Sequence, residues 1–487
     1  MVEAVGGEKT IGFVGSLAIL LNNVLGPGVA SFPGLCQQAG WLPTVAMIGI
    51  CVVSSFISGE LLVMSMRTMP GNGRFQQRVE YSTLCRHYLG RRCASFSILM
   101  FLVAMLAANV GTIIQTAQVF DNTIDTLFGD SCAVEFYPSP FRVFCHTSPS
   151  DITPFGDGKV LLSLGAIIVA VCSVPLGYWN LDDNVAVQKV AMVLILGSML
   201  AWLSIFQYQG LRVQRVPGIR TDIGLSSIHG LGGTVLFNFM FVSTLPSWVC
   251  EKHPSVAATR VLMWTLALSA VAFLAIGICG GMAFREYYAT DNTLMSALHH
   301  IAHPEALRVF ASATVDIYSV AANLTSIPIF AIMLRYNLAE QQLLGPRAAG
   351  FASVVAPWLA GVLLYCGKGF ADVVQFAGTF ASPIVNLFVP CLVFLASQRD
   401  ARMCPGTGIC DTAGSEAIGG REGFRESQAP TDSGAGIEVS MCHEDSSGRL
   451  DGPKARRTWL AIARTNAVAT VVLTVACVTD QALSGNS

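Results

Sequence analysis

Charged side chains are scarce in this chain of 487 residues, and their scarcity excludes several classes of protein. Only 12% of the residues are Asp, Glu, Lys or Arg, whereas soluble domains carry about 25%. So few charges cannot cover the surfaces of the several soluble domains that this length would otherwise hold. The net charge of −2, without a long basic block, also argues against a nucleic-acid partner. We therefore expect neither a soluble enzyme nor a nucleic-acid-binding protein.

Long stretches without any charge indicate helices that cross a membrane. No charged residue occurs over the 50 residues 10–59, and the same holds for 94–120, 261–283 and 373–398. A hydrocarbon core about 30 Å thick needs roughly 20 apolar residues of helix. The sequence therefore predicts an all-α membrane protein with eleven spans, numbered 1–11 in chain order: 11–33, 41–66, 94–121, 159–179, 185–206, 227–250, 259–283, 307–335, 348–366, 371–397 and 458–479.

The loops predict an orientation for these spans. Arginine is concentrated in the loops 67–93 and 398–457, which lie on the same side as the N-terminus if every span crosses. Because basic residues are retained on the cytoplasmic side, we expect a cytoplasmic N-terminus. The outer loop would then hold Cys132 and Cys145, which an oxidising compartment allows to pair; two free thiols remain the alternative.

Span 1 carries an interruption in its middle. Asn22 and Asn23 are followed by the run Gly26-Pro27-Gly28. Proline lacks a backbone N–H and clashes with the preceding turn, and glycine leaves the backbone unshielded. Peptide groups freed in this way are tolerated inside a membrane only where they line a cavity or meet protein partners. The pattern predicts a broken helix, with a simple proline kink as the alternative.

Span 6 shows a similar pattern, with glycines first, then Asn238 and Phe239, and Pro246 near the other end. Spans 1 and 6 occupy corresponding positions if spans 1–5 and 6–10 are two repeats, and such repeats are inverted because five is odd. Paired interruptions in corresponding helices are a sequence indicator of a transport site. Half-helix N-termini suit a carboxylate and half-helix C-termini suit a cation, so a zwitterion such as an amino acid fits both.

These predictions divide the chain into five parts. A cytoplasmic segment 1–10 precedes the first five-helix repeat, 11–206. The second repeat follows at 227–397. Residues 398–457 are rich in Gly and Ser with little periodicity, and we expect a disordered cytoplasmic linker there. Residues 458–487 hold the eleventh span and a short C-terminus.

Several motifs resemble those of the amino acid/auxin permease family, within the amino acid–polyamine–organocation superfamily. The first-helix motif is Asn23-x-x-Gly26-x-Gly28, followed by Phe32-Pro33 and by Gln38-Ala-Gly-Trp-Leu42. Ser326-Ile-Pro328 resembles the family's eighth helix, and the run 376–382 with Pro390 its tenth. The match extends over spans 1–10, whereas span 11 shows no recognisable motif.

The resemblance implies a LeuT-type fold of five plus five inverted helices, and secondary active transport of amino acids driven by Na⁺ or H⁺. It implies no cofactor and no enzymatic activity, with the amino acid, the coupling ion and the lipid bilayer as partners. Plasma membrane and vacuolar or lysosomal-type membranes both host such proteins. An amino-acid-sensing transceptor on the same fold is the alternative. A metal transporter is a less favoured alternative, since Met240 is the only residue near the breaks with a soft sulfur ligand for a metal ion.

The candidate substrate-binding residues lie at the breaks and on span 3: Asn22, Asn23, Gly26, Gly28, Asn109, Asn238 and Phe239. Backbone amides of the two glycines would bind the substrate carboxylate, and Phe239 would cover the substrate side chain. Close helix packing by the glycines, interhelical hydrogen bonding by Asn109 and ordinary packing by Phe239 remain the alternatives.

Span 8 contributes the candidate ion-coupling residues. Asp316, Ser319, Asn323 and Ser326 form one polar stripe at helical spacing, which should face the bundle interior. The resemblance assigns a Na⁺-ligating hydroxyl to Ser326, with Thr325 beside it, and places Asn23 near the ion. Asp316 would take a coupling proton, unless it lies solvated near the outer headgroups or pairs with Arg308 there.

Overall fold

The computed structural model describes residues 9–138, 141–146, 155, 159–219, 231–239, 241–284, 294–299, 301, 304–341, 344–366, 380–403 and 452–484. Met240, the tenth-helix residues 376–379 and the linker residues 404–451 lie outside this part, so the expectations for them concern residues that the structure does not describe.

Helices account for most of the described residues. The spans contain these helices in chain order: Phe13–Val24 and Phe32–Ala39; Trp41–Arg67; Arg91–Phe128; Leu164–Tyr178; Val185–Gln209; Leu231–Asn238 and Leu245–Glu251; Ala258–Ala283; Glu305–Glu340; Pro346–Gly350 and Ala356–Leu364; Val389–Met403; and Gly452–Ser484. Short helices Tyr81–Tyr88 and Leu294–His299 lie in loops. The 3-10 turns Pro27–Ser31, Val213–Arg215 and Val242–Thr244, and the π-helical turns Phe351–Val355 and Ile384–Phe388, complete the set.

Every predicted span contains helix, although some boundaries differ. Eight described helices are long and apolar enough to cross a membrane, and the bent pair in span 1 would be a ninth. Span 4 is a shorter apolar helix, because Val160–Ser163 is extended and the helix begins only at Leu164. The helices flanking the linker reach Met403 and start at Gly452, so the predicted linker 398–457 is helical at both edges.

The described loop residues form contacts at two ends of the bundle. At the first end, the N-terminal face, the backbone of Ile11 bonds with Glu251 and His253, and Thr10 contacts Asp182. At the second end, the hairpin face, the strands Ser131–Tyr137, Arg142–His146 and Val160–Ser163 form an antiparallel sheet with the first strand in the middle.

The predicted disulfide joins Cys132 to Cys145 across two paired strands of this sheet. The alternative of two free thiols is therefore wrong. Asp121 anchors the sheet to the bundle, since its Oδ1 accepts hydrogen bonds from Ser131 Oγ at 3.1 Å and from the Gly165 N–H at 2.8 Å.

The interior of the bundle is built around spans 6 and 8. Of the most apolar 18-residue segment of span 6, 82% is buried inside the protein. The same share is 78% for span 8 and only 22% for span 11. A membrane helix that is buried on all sides contacts other helices rather than lipid. Spans 6 and 8 are therefore placed to line a central site, and span 11 lies at the periphery.

Candidate functional site

Span 1 breaks where the sequence predicts. Leu25 leaves the helical conformation with ψ 57°, and Gly26 is extended with ψ −165°. The halves Phe13–Val24 and Gly28–Ala39 are bent by 49°. Within the second half, the 3-10 turn Pro27–Ser31 leads into the α-helix Phe32–Ala39. Pro33 lies in the first turn of this α-helix, a position that tolerates its missing N–H.

Span 6 is interrupted in the same manner. Its first half, Leu231–Asn238, is separated from the second half, Leu245–Glu251, by the 3-10 turn Val242–Thr244. Pro246 occupies the first turn of the second half, as Pro33 does in the α-helix after the span 1 break. Both breaks thus combine a helix end with a following α-helix that has proline in its first turn.

The two breaks meet. Asn23 Nδ2 of span 1 donates a hydrogen bond to Thr244 Oγ1 of span 6 at 3.0 Å. A Cβ placed on Gly28 would lie 2.1 Å from Asn238 Oδ1, so only glycine lets the span 6 amide approach the span 1 backbone this closely. The structure therefore brings Asn23, Gly28 and Asn238 together, although they are about 200 positions apart in the sequence.

Span 8 covers the break of span 1 with a tyrosine. The Tyr318 hydroxyl donates to the Gly26 carbonyl at 2.8 Å and lies 3.4 Å from the Leu25 carbonyl. Trp202 of span 5 packs on the Tyr318 ring, with ring centroids 4.7 Å apart, and its Nε1 donates to Thr314. Carbonyls released by the break are thus held by a fixed aromatic donor rather than by lipid.

An amide on span 5 connects span 1 to span 8. Asn22 Nδ2 donates to Gln188 Oε1 at 2.8 Å and to the Gln188 carbonyl at 2.9 Å. Gln188 Nε2 in turn donates to the Thr325 carbonyl at 3.0 Å. Asn22 and Gln188 are both buried, so these bonds form away from water, where they are most costly to lose.

The buried amide oxygens of three asparagines, on spans 1, 3 and 8, can still accept hydrogen bonds. Asn22 Oδ1 of span 1, Asn109 Oδ1 of span 3 and Asn323 Oδ1 of span 8 have no hydrogen-bond partner among the described residues. An unsatisfied buried amide oxygen costs about 1–3 kcal/mol. Such oxygens suit an ammonium group or a hard cation.

The predicted ion-coupling residues are not brought to one place. The hydroxyls of Thr325 and Ser326 donate to the carbonyls of Ala321 and Ala322, which leaves their lone pairs to accept. Asp316 lies ten residues away on the same continuous helix, about 15 Å along its axis. Asp316 Oδ1 accepts from Thr123 Oγ1 of span 3 at 3.3 Å. Asp316 therefore cannot share an ion with Ser326.

The side chain of Phe239 is buried in an aromatic cluster. Its ring packs edge-on against Phe273 of span 7 with centroids 5.4 Å apart, and Phe273 stacks on Phe32 at 4.4 Å. Phe239 thus fastens the span 6 break to span 7 and to the second half of span 1. Its predicted role as a substrate cover would require this cluster to open.

Sequence reasoning missed Gln188 and Tyr318. Neither lies next to a glycine or proline, and each reads as an ordinary residue of a regular helix. Thr314, Tyr318 and Thr325 share one face of span 8, but this face lies about 140° around the helix from the predicted polar stripe, so the stripe gave no signal for Tyr318. Three members of that stripe, Ser319, Asn323 and Ser326, are themselves buried.

A charged cluster closes the N-terminal face beneath the breaks. Arg78 in the loop after span 2 lies 3.1 Å from Glu80 and 3.6 Å from Glu251 at the end of span 6, and its guanidinium covers the Tyr336 ring of span 8 at 3.7 Å. Glu80 also accepts from Ser247 Oγ at 2.5 Å. Burial raises the pKa of Glu80, and Arg78 and Ser247 only partly oppose that rise.

The fold of the chain resembles the folds of two solved membrane proteins. It resembles a manganese transporter mutant from Eremococcus coleocola with a TM-score of 0.50 and 12% identity, over 96% of this chain and 94% of that one. It also resembles Mhp1, a nucleobase-cation-symport-1 family transporter solved in a closed conformation with bromovinylhydantoin bound, with a TM-score of 0.48 and 12% identity over 78% of each chain. The likeness to the manganese transporter confirms the predicted LeuT-type fold; the five-plus-five inverted repeat stays a prediction.

A comparison with curated protein sequences found no significant match. The family model described as "Transmembrane amino acid transporter protein", by contrast, matches residues 9–353, which include both breaks and spans 1–8. This agrees with the family resemblance carried by the motif at Asn23, Gly26 and Gly28. The chain therefore belongs to the transmembrane amino acid transporter family and is a membrane transporter of amino acids.

Proposed function

We propose that this chain is a secondary active transporter that binds one amino acid at the junction of spans 1 and 6 and moves it by alternating access. The observation that carries the proposal is the contact between the two breaks, where Gly28 approaches the Asn238 amide and Asn23 bonds to Thr244. Both interruptions thus contribute peptide groups to one place in the bundle, as substrate binding requires.

The polarity of the junction favours a zwitterion. Gly28 lies in the first turn after the span 1 break, where backbone N–H groups lack helical acceptors and favour an anion. The amide oxygens of Asn22, Asn109 and Asn323 can accept from an ammonium group. The substrate carboxylate would contact the Gly26–Gly28 backbone, and the ammonium group would face the amide oxygens.

Transport requires the seal at the N-terminal face to open. Arg78 and Glu80 join the end of span 6 to the end of span 8, so the passage from the junction to this face opens only when these contacts separate. A ligand shifts such an equilibrium by binding one state more tightly than the other. Substrate and coupling ion together would supply that difference.

Two coupling schemes each have named residues. Na⁺ would use the hydroxyl oxygens of Thr325 and Ser326 with Asn23 of span 1, since oxygen ligands suit a hard cation. A proton would use Asp316, which is half-buried beside Thr123. The two schemes predict different responses to gradients. Removal of Na⁺ abolishes amino acid uptake only in the Na⁺ scheme, and a pH gradient drives uptake only in the proton scheme.

For the orientation we propose a cytoplasmic N-terminal face. Arginine-rich loops lie there, and the Cys132–Cys145 disulfide on the opposite face fits an oxidising compartment. Both a plasma membrane and a vacuolar or lysosomal-type membrane satisfy this arrangement.

The experiment is uptake of a panel of labelled amino acids into proteoliposomes that contain the purified full chain, with Na⁺ and pH gradients imposed separately. We expect at least one amino acid to accumulate above its external concentration when one gradient is present, and to equilibrate when the gradient is dissipated.

Liposomes without protein and a Gly28→Ala variant are the controls. Saturable binding of an amino acid without accumulation under either gradient would contradict the transport proposal and would indicate a sensor on the same fold. Accumulation that depends on Na⁺ would support the Na⁺ scheme with Thr325 and Ser326. Accumulation that depends on the pH gradient would support the proton scheme with Asp316.

A further inference from the structure

Span 11 lies outside the family match and shows no family motif, yet one of its faces is buried. Ala463, Asn466, Ala467 and Thr470 are buried, at the spacing of one helical stripe. This stripe packs against Leu61 of span 2 and against residues Cys391 and Phe394 of span 10. The remainder of the helix is mostly exposed to the membrane.

Asn466 is the polar side chain of this stripe that reaches across to other spans. Its Nδ2 donates to Ser58 Oγ of span 2 at 2.9 Å and lies 3.5 Å from Cys391 Sγ of span 10. Thr470 differs, because its hydroxyl donates to the Asn466 carbonyl of its own helix at 2.8 Å. An amide inside a membrane helix is costly to place, so a specific pairing is needed to explain this one.

The contacts of Asn466 lead to the substrate junction. Ser58 Oγ donates to the Leu387 carbonyl at 3.3 Å, within the π-helical turn Ile384–Phe388 of span 10. The neighbouring Asn386 Oδ1 accepts from the Ser243 N–H at 2.8 Å. Ser243 lies in the 3-10 turn of the span 6 break.

Span 2 also touches the break directly. Ser55, one helical turn before Ser58, donates from Oγ to the Phe239 carbonyl at 3.1 Å. The backbone of the span 6 break is therefore held at two points: Phe239 by span 2, and Ser243 by span 10. Both supporting helices meet span 11 at Asn466.

We propose that Asn466 is a positioning residue for amino acid binding. It fixes Ser58 and the π-helical turn of span 10, and through them the conformation of the span 6 break that receives the substrate. The inference rests on the proposed function, because the break matters only if substrate binds there.

The test compares Asn466→Leu with Thr470→Val in the full chain, using uptake of the labelled amino acid that wild type accumulates. Both variants remove a buried polar group from the same face of the same helix, but Asn466 hydrogen-bonds to another span, whereas the Thr470 hydroxyl donates within its own helix. We expect Asn466→Leu to raise KM about fivefold, the order reached by coupling through packed networks. In Asn466→Leu, the maximal uptake velocity per transporter molecule in the membrane should change less than KM does. Thr470→Val should leave KM unchanged.

Ser58→Ala provides a second, smaller perturbation. It should raise KM in the same direction, and the double variant with Asn466→Leu should be no worse than the stronger single variant, since both break one connection. An unchanged KM in Ser58→Ala, an equal effect of Thr470→Val, or a loss of membrane protein with KM intact in Asn466→Leu would each overturn the proposal. If wild type itself accumulates no amino acid, the proposed function fails instead.

Discussion

Gly28 and Asn238 show at the residue scale how a missing side chain can shape a site. The amide of Asn238 occupies the space that a Cβ on Gly28 would need, and its Nδ2 is fixed by the Thr234 carbonyl at 2.7 Å. The amide has little freedom to withdraw, because its own helix holds it. The requirement for glycine at position 28 is therefore steric.

Gly28→Ala should reduce uptake per transporter at least tenfold, which corresponds to about 1.4 kcal/mol. The added methyl group forces Asn238 away from the span 1 break. Tracer uptake normalised to the amount of membrane protein measures the effect, and Gly49→Ala is the control because no atom lies within 4 Å of its Cβ. The double variant Gly28→Ala/Asn238→Ala should recover thermal stability without recovering uptake; recovery of both would mean that Asn238 only packs.

Gln188→Met should both destabilise the protein and slow transport. It removes the acceptor of Asn22 Nδ2 and the donor to the Thr325 carbonyl, at about 1–3 kcal/mol for buried groups left unpaired. Thermal unfolding and normalised uptake measure the two effects. Gln207→Met, at an exposed position of the same helix, should change neither, and equal losses in both variants would contradict the bridging role.

Local sequence pattern was sufficient to place some residues at the breaks but insufficient to predict the contacts that other helices make with them. Asn22, Asn23, Gly26, Gly28 and Asn238 could be predicted because glycine and proline disturb the helix beside them. Gln188 and Tyr318 belong to regular helices and act through contacts with residues far away in the sequence. Such partners follow from helix packing, which periodicity alone does not determine.

At the scale of helices, the two breaks use one arrangement, a helix end followed by an α-helix with proline in its first turn. Glycine and proline made these breaks predictable. The boundary of span 4 was not predictable in this way, because the apolar residues Val160–Ser163 suit a strand as well as a helix. Pairing with Ser131–Tyr137 selected the strand.

The loop between spans 2 and 3 gives the N-terminal face a dependence on pH. Burial raises the pKa of Glu80 in the closed face, and exposure to water on opening would return that pKa to its ordinary range. The closed face therefore binds a proton more tightly than the open face. Acidification stabilises the closed face, and this stabilisation is lost as pH rises through the raised pKa.

Lowering the pH on the N-terminal side should therefore slow release of substrate to that side, over a window that begins near the ordinary carboxyl value of about 4.3 and extends upward. Glu80→Gln should slow release at all pH values and flatten the profile, because it imitates the protonated group. Efflux from preloaded proteoliposomes measures this, with Glu305→Gln on the opposite face as the control. A pH profile that Glu80→Gln leaves unchanged would contradict the mechanism.

At the scale of the whole molecule, the described loop residues form two faces. Residues 9–12 pack with the end of span 6 on one face, and the disulfide-linked strands lie on the other. The positions of the helices along the chain could be predicted because each needs an apolar run, whereas the count of eleven spans stays a prediction: among the described residues eight helices, or nine with the bent pair, are long and apolar enough to cross a membrane. The burial of spans 6 and 8 on nearly all sides could not be predicted from their apolar runs, because it depends on which helices pack against them.

In cells that display the protein at the surface, an impermeant reductant should open the Cys132–Cys145 disulfide, and an impermeant maleimide should then label both thiols. Cys93, an exposed cysteine at the start of span 3, should remain unlabelled until the membrane is permeabilised. Site-resolved mass spectrometry of the labelled peptides measures this. Labelling of Cys93 from outside with an inaccessible disulfide would reverse the proposed orientation.

The most direct test of the account is an electron cryo-microscopy structure of the full chain in lipid nanodiscs, with the amino acid that proves to be accumulated. We predict density for that amino acid between the span 1 break at Gly26–Gly28 and the span 6 break at Asn238–Thr244, with its carboxylate toward the glycine backbone. Continuous helices through both positions, or an amino acid bound away from this junction, would contradict the central claim.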